Sequence, residues 1–306
     1  MRVFVTGPSG SIGSTLVPQL IDAGHDVVGL ARSEGSANFL VAAGAEVHRG
    51  SLEDLESLRA GAAASDGVIH LAFIHDFSQF LTSVETDMRA IEAMGTALEG
   101  SGRPFVIASG TPGVDVGHVA TEQDMPDPSF PRSAAAQLTL SLAERGVRSF
   151  VLRLPPSVHG AGDHGFIATL VDIARAKGVS GYVGEGAARW SAVHRIDAAS
   201  LFRLALEHAA PGSVLHGLAN EGVETRVIAG AIGRNLDLPV SSIPAEEAPA
   251  HFDWMAPFFS IGRAASSELT REMLAWEPTQ PGLIEDIDQG HYFENHPIHR
   301  TVQASS

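Results

Sequence analysis

Three glycines at three-residue spacing, Gly7, Gly10 and Gly13, punctuate the run RVFVTGPSGSIG at the start of the chain. Val3, Phe4 and Val5 before them read as a buried parallel strand, and Ser14–Ala23 after them reads as a helix. Placed between strand and helix, such glycines make a phosphate cradle. Gly7 lets the chain leave the strand sharply, Gly10 withholds the Cβ that would block a diphosphate, and Gly13 lets the helix approach the sheet. The helix start adds unpaired N–H groups and a partial positive charge. A tight turn with no ligand would leave this regular spacing, with Thr6, Ser9 and Ser11 between the glycines, unaccounted for. The pattern therefore predicts a dinucleotide, held by Gly7, Ser9, Gly10, Ser11, Ile12 and Gly13.

Which dinucleotide depends on the end of the second apolar run, Asp26–Ala31. An acidic residue there would bind the adenosine ribose 2′-OH, whereas an arginine accommodates a 2′-phosphate. Arg32 with Ser33 favours NADP(H) over NAD(H). Glu34 nearby, and the alternative of a solvated arginine ending a strand, weigh on the other side.

Further apolar runs, Gly67–Phe73, Phe105–Ala108 and Ser149–Leu154, read as strands, with a short one at Glu46–His48. Polar residues collect just past their carboxyl ends, where open α/β sheets bind ligands. They are His75 and Asp76; Ser109, Gly110 and Thr111; and Ser157 with His159. A serine or threonine hydroxyl can donate to a carbonyl oxygen, and histidine has the pKa range of a general acid. His70 lies inside its apolar run and reads as a core histidine. The stretches Asn38–Ala43, Leu52–Ala60, Thr82–Glu99, Ser133–Arg145 and Glu224–Leu236 read as helices. Val84, Met88, Ile91, Ala93 and Leu98 fall near helical spacing, the mark of a core stripe.

The 306 residues can bury a large core. A net charge of −16 argues against nucleic acid, which needs a basic surface. No run approaches the ~20 apolar residues of a membrane span, and the chain enters a strand at once rather than a signal peptide, so a cytoplasmic location is expected. With no cysteine, thiolate chemistry and cysteine metal sites are excluded, and no metal site is assigned. Lys177 is the only lysine, and Tyr182 and Tyr292 are the only tyrosines.

The T-G-x-x-G-x-x-G spacing, the strand GVIHLAF, the loop Pro155–Gly160, the segment WSAVHRID and the closing Leu274-x-Trp276-x-Pro278 together resemble the extended and atypical short-chain dehydrogenase/reductases, the epimerase/dehydratase-like group. The resemblance runs from Met1 to about Gly290. It implies an α/β fold, a Rossmann-type doubly wound parallel sheet over residues 1–160. A smaller C-terminal substrate-covering lobe would follow over 161–294, with elements returning to the core at about 190–210, and then a tail, 295–306. It also implies cofactor contacts for Ser51 and Leu52 against the adenine, for Leu71, Ala72 and Phe73 at the fourth strand's end, and for Pro155, Ser157 and Val158 beside the nicotinamide. His159 replaces a common tyrosine of that last loop. Relatives of this kind are often homodimers through helices corresponding to Thr82–Glu99 and Ser133–Arg145.

The chain departs from the family where its chemistry is done. Relatives carry Tyr-x-x-x-Lys, the tyrosine exchanging a proton while the lysine lowers its pKa. Here no tyrosine or lysine lies between Thr111 and Phe150. The best register puts Phe130 and Ala134 at the two positions; the next gives Ser129 and Ser133. The expected activity is therefore NADPH-dependent reduction of a small-molecule ketone or quinone that needs little acid–base help, a planar, apolar, polycyclic aromatic one, by positioning. Ser109, Thr111, His75 and His159 are the catalytic candidates, and Phe130, Arg132, Trp254 and Phe258 the substrate contacts. The dense aromatics of HFDWMAPFF read equally as a lid over a planar ligand or as packing between lobes. Two rival readings are a non-catalytic NADP(H) sensor and an enzyme that oxygenates or isomerises an activated aromatic.

Overall fold

A computed structural model of the chain describes residues 1–75, 79–111, 118–126, 128, 130–262 and 264–294. Asp76, Ser129 and the tail 295–306 lie outside them. Apolar runs and helical segments alternate as β1 (Arg2–Thr6), α1 (Gly13–Asp22), β2 (Asp26–Ala31), α2 (Glu34–Ala42), β3 (Glu46–Arg49), α3 (Leu55–Ala63), β4 (Gly67–His70), α4 (Phe80–Leu98), β5 (Pro104–Gly110), α5 (Ser133–Ser141) and β6 (Arg148–Leu154). With β10 (Val214–His216) these strands form one seven-stranded sheet in the order β10-β6-β5-β4-β1-β2-β3. Every pairing in it is parallel. The order reverses between β1 and β4, the switch point at which doubly wound sheets open a crevice.

The central strands are apolar on both faces because helices cover both. Val3, Val5, Val106 and Phe150 join the core beneath α1 and α7 (Arg195–His208), while Phe4, Val68, Phe105 and Val151 join that beneath α3, α4 and α5. Local capping sets several helix boundaries that periodicity misplaced. α2 starts at Glu34 rather than Asn38, because the Ser33 hydroxyl accepts from Ser36 N at 3.2 Å. α3 starts at Leu55 rather than Leu52, because Asp54 accepts from Ser57 N at 3.0 Å. α5 ends at Ser141, and the chain to Gly146 closes in i→i+3 turns. Glu224 ends β11 (Asn220–Glu224) rather than starting the helix that follows.

β7 (Ser157–His159) runs parallel to β9 (Arg189–His194), which pairs antiparallel with β11. α6 (Phe166–Lys177), β8 (Ser180–Val183), α8 (Thr225–Leu236), β12 (Val240–Ile243), α9 (Ala248–Phe252) and α10 (Ala256–Phe259) pack with α12 (Leu283–Asp288) around a separate core containing Leu170, Trp190, Ile228, Phe252 and Phe259. α11 (Glu268–Leu274) holds down the approach to α5: buried Glu122 accepts from Thr270 N at 2.8 Å and from its hydroxyl at 2.6 Å. An isolated bridge, Ala120 to Ala265, reinforces that contact.

Candidate active site

The glycine turn expected to cradle phosphates lies between β1 and α1, against the loop after β4. Gly7 has φ +67°, and a Cβ on it would lie 2.8 Å from Ala72 N. At Gly13 the same atom would lie 2.1 Å from the Gly7 carbonyl oxygen. These two glycines are demanded by the fold itself. Gly10 is different: its Cβ would meet only the Gly7 oxygen, at 3.4 Å, so its smallness leaves room outside the protein. Ile12 precedes α1 with no side-chain cap; Ser14 N and Thr15 N turn back onto the Gly10 and Ile12 carbonyls at 2.9 and 3.0 Å, so an anion would meet the turn just before them, Ser11–Gly13. The cradle fits a dinucleotide diphosphate. Ser11 is exposed, and the Ser9 hydroxyl donates to Ser36 at 3.0 Å. Arg195 ties the first turn of α1 to the loop after β7, donating to Thr15 Oγ1 at 3.0 Å, to the Ala161 carbonyl at 2.7 Å and to Ser14.

At the end of β2, Arg32 is exposed and forms no ion pair among the described residues. Glu34, the acidic residue that clouded its reading, is held by Arg49 at 2.8 Å. Ser33 spends its hydroxyl on capping α2. Ser51 accepts from Glu53 N at 3.3 Å, and Leu52 is buried in the core.

The ends of β4 and β5 meet above the sheet. Leu71 N and Ala72 N donate to the Thr6 carbonyl and hydroxyl, both at 3.2 Å, so the loop after β4 is fastened to the residue before Gly7. Phe73 then projects among rings, 5.3 Å from His75 and 6.2 Å from Phe80, with Phe80 in turn 6.5 Å from Phe130. Arg132 lies over this group, its guanidinium carbon 4.2 Å from the Phe73 ring centre. Its Nη2 donates to the Ala108 carbonyl at 3.1 Å, on the strand end that carries Ser109 and Thr111, and its buried Nε has no partner. Burial lowers the pKa of Arg132, opposed by the nearby Asp87 carboxylate. Burial of the His75 ring, and then the Arg132 charge, lower the pKa of His75, so this histidine is neutral at pH 7. The best-register tyrosine position, Phe130, is 38 % exposed beside Phe80; Ala134 is exposed and Ser133 buried.

The structure thus brings Phe73, His75, Phe130 and Arg132 together at the β5 edge that bears Ser109 and Thr111. His159 is drawn elsewhere. Its ring is fully buried, with Nδ1 2.9 Å from Asp286 Oδ2 and the ring centre 5.4 Å from that of His194. Pro155 and Ser157 are buried and Val158 packs against the core. The aromatic run near the C-terminus divides between the interior and the surface. Phe252 and Phe259 are interior, Phe259 lying 5.1 Å from the Trp190 ring. Trp254 and Phe258 instead flank Phe166 at 5.8 and 5.5 Å, with Trp254 39 % exposed.

Two participants escaped the sequence reading. Phe80 sits one turn before the stripe of α4, and Asp87 lies inside it. The visible signal was a carboxylate between Val84 and Ile91 on a face that periodicity assigns to the core, where an unpaired charge is costly.

Residues 3–216 match the model of the NAD dependent epimerase/dehydratase family. An uncharacterised protein of Schizosaccharomyces pombe is 48 % identical over 295 residues, covering 96 % of this chain and 100 % of its own. An uncharacterised protein of Saccharomyces cerevisiae is 46 % identical, over 94 % and 98 %. A 4-hydroxy-2-methyl-3-oxo-4-farnesyl-3,4-dihydroquinoline-1-oxide ketoreductase of Stigmatella aurantiaca is 31 % identical over 58 % of this chain and 56 % of its own. Among solved structures, the dTDP-glucose 4,6-dehydratase of Streptomyces venezuelae with NAD bound superposes with a TM-score of 0.75 at 18 % identity, over 95 % of this chain and 96 % of that one. Among the described residues, no helix is long and apolar enough to cross a membrane.

Proposed function

This chain belongs to the NAD dependent epimerase/dehydratase family, a family of oxidoreductase-type enzymes, and on that premise we propose that it is an NADPH-dependent reductase of a planar aromatic ketone or quinone in which Arg132 stands in for the missing tyrosine–lysine pair. The carrying observation is the placement of Arg132, stacked on Phe73 and bonded to Ala108 at the end of β5. When bound, the dinucleotide supplies a hydride. The Arg132 guanidinium and the Ser109 hydroxyl present donors to the carbonyl oxygen, where negative charge develops, and a fixed cation in a partly dry site stabilises that charge well. Phe73, Phe80 and Phe130 offer ring faces to a planar substrate, and Trp254 and Phe258 add a second aromatic surface.

His75, neutral and edge-exposed, acts as a hydrogen-bonding neighbour that relays a proton from water rather than as a standing acid. An aromatic substrate suits this arrangement because its reduced oxygen is a weak base. Two further facts support the reading. The Stigmatella aurantiaca relative is a ketoreductase of a 3-oxo-dihydroquinoline, a fused ring system. Arg32 is exposed without an ion pair while Glu34 is occupied by Arg49, which favours the 2′-phosphate of NADP(H). The test is NADPH oxidation with phenanthrenequinone as the probe. Steady turnover with wild type and its loss in Arg132→Met support the assignment, and undiminished turnover in that variant refutes it.

A further inference from the structure

Beneath Arg132 runs a buried chain of polar groups that reaches back to the phosphate cradle. Thr6 Oγ1 lies 2.7 Å from His70 Nδ1, His70 Nε2 lies 3.0 Å from Asp87 Oδ1, and Asp87 Oδ2 lies 3.9 Å from Arg132 Nη2. Thr6, His70 and Asp87 are each less than 5 % exposed. The protons can be placed by counting. An ionised Asp87 carboxylate can only accept, so His70 Nε2 carries a proton and donates it. The Thr6 hydroxyl accepts from Ala72 N and has its own hydrogen to give to Nδ1, which satisfies both ring nitrogens.

The second carboxylate oxygen of Asp87 faces the guanidinium. A carboxylate buried this deeply is costly unless a charge balances it, and Arg132 is the cation placed to do so. The reverse dependence matters more. Among the described residues Arg132 has two fixed points besides Asp87, the Phe73 ring and the Ala108 carbonyl, and its buried Nε has no partner there. Among the described residues no other contact holds the long side chain against swinging out along the aromatic surface. We infer that Asp87 is a positioning residue for Arg132, with Thr6 and His70 fixing the Asp87 carboxylate, so that the turn beginning at Gly7 and the cation over the end of β5 form one rigid unit. This inference rests on the role proposed above for Arg132.

The experiment uses full-length wild type, Arg132→Met, Asp87→Asn and the double variant. Three readouts are taken: thermal unfolding, NADPH affinity, and turnover of phenanthrenequinone with saturating NADPH. Arg132→Met leaves a buried carboxylate unbalanced and should lower the Tm by roughly 10 °C. Adding Asp87→Asn should restore most of that loss. In turnover, Asp87→Asn alone should reduce kcat by roughly 10–100-fold at unchanged NADPH affinity. In the Arg132→Met background it should cost nothing further, because a residue that acts only through Arg132 has nothing left to position.

Additive losses in kcat, or an Asp87→Asn enzyme with wild-type kcat beside an impaired Arg132→Met, would overturn the inference and leave the reductase reading intact. Full kcat in Arg132→Met would refute the reductase role of Arg132 instead. The thermal cycle needs no turnover: a double variant no more stable than Arg132→Met contradicts the pairing by itself.

Discussion

Two buried histidine–aspartate pairs are built into this fold, and different third groups complete them. His70 and Asp87 lie 3.0 Å apart between β4 and α4, and the far side of Asp87 faces Arg132. His159 and Asp286 lie 2.9 Å apart between β7 and α12, and Asp286 is ringed by two more histidines, His194 at 3.8 Å and His291 at 3.6 Å. Tyr292, next in the chain, donates to Asp163 at 3.1 Å and accepts from Gly160 N at 3.1 Å, and burial raises its pKa far above the usual tyrosine value. Such a tyrosine holds its proton and cannot replace the missing acid. The second pair fastens α12 to β7; the first ends in a cation over the carboxyl end of β5. A His–Asp pair acquires a chemical role from what lies beyond the carboxylate.

The contrast can be broken experimentally. The largest effect should come from Asp286→Ala, which strips the buried His159 of its acceptor and removes the carboxylate that His194 and His291 face. About 3–5 kcal/mol of stability should be lost, read by urea unfolding, while NADPH affinity in the still-folded protein stays near wild type. The glycines sharpen the same distinction between support and site. Gly13→Ala drives a Cβ into the Gly7 carbonyl and should destabilise the fold by about 1–3 kcal/mol. Gly10→Ala meets no such obstacle, so it should unfold normally yet bind NADPH at least tenfold more weakly by fluorescence titration. Arg32→Ala should raise the Kd for NADPH roughly tenfold and leave that for NADH unchanged, about 1.4 kcal/mol for one charge-assisted contact; equal loss for both nucleotides would place the arginine off the 2′-phosphate.

The smallest effect concerns His75. Its folded pKa is lowered, first by burial and then by Arg132, so the folded state favours the neutral ring. Its contribution to stability is undiminished above the ordinary histidine pKa of about 6.5 and is lost as pH falls below it, where the unfolded chain takes up the proton first. Arg132→Met should move the His75 titration upward in an NMR pH series, toward the ordinary value. An unmoved midpoint would mean that the guanidinium does not face the ring.

The parallel sheet and the glycine turn after β1 were legible because they rest on local rules: continuous apolar runs, and glycines where a strand turns into a helix. Helix starts were misplaced where single caps, Ser33 and Asp54, decide them. Arg132 was legible as a polar residue at the right helix, but its partner was not. Asp87 fell inside a periodic apolar stripe, and periodicity has no term for a charge neutralised from another element. His159 drew attention by standing in a loop that lines cofactors in similar proteins, yet its ring faces the interior, because β7 turns it toward α12 some 127 residues later in the chain. Sequence distance hid both aspartates.

The most direct test of the account is kcat for NADPH-dependent reduction of phenanthrenequinone by wild type and Arg132→Met, with NADPH affinity measured alongside. Removing one preorganised donor from a developing oxyanion costs about 100- to 1,000-fold, so the account predicts a fall of that size with nucleotide binding unchanged. A variant that turns over as fast as wild type would contradict it.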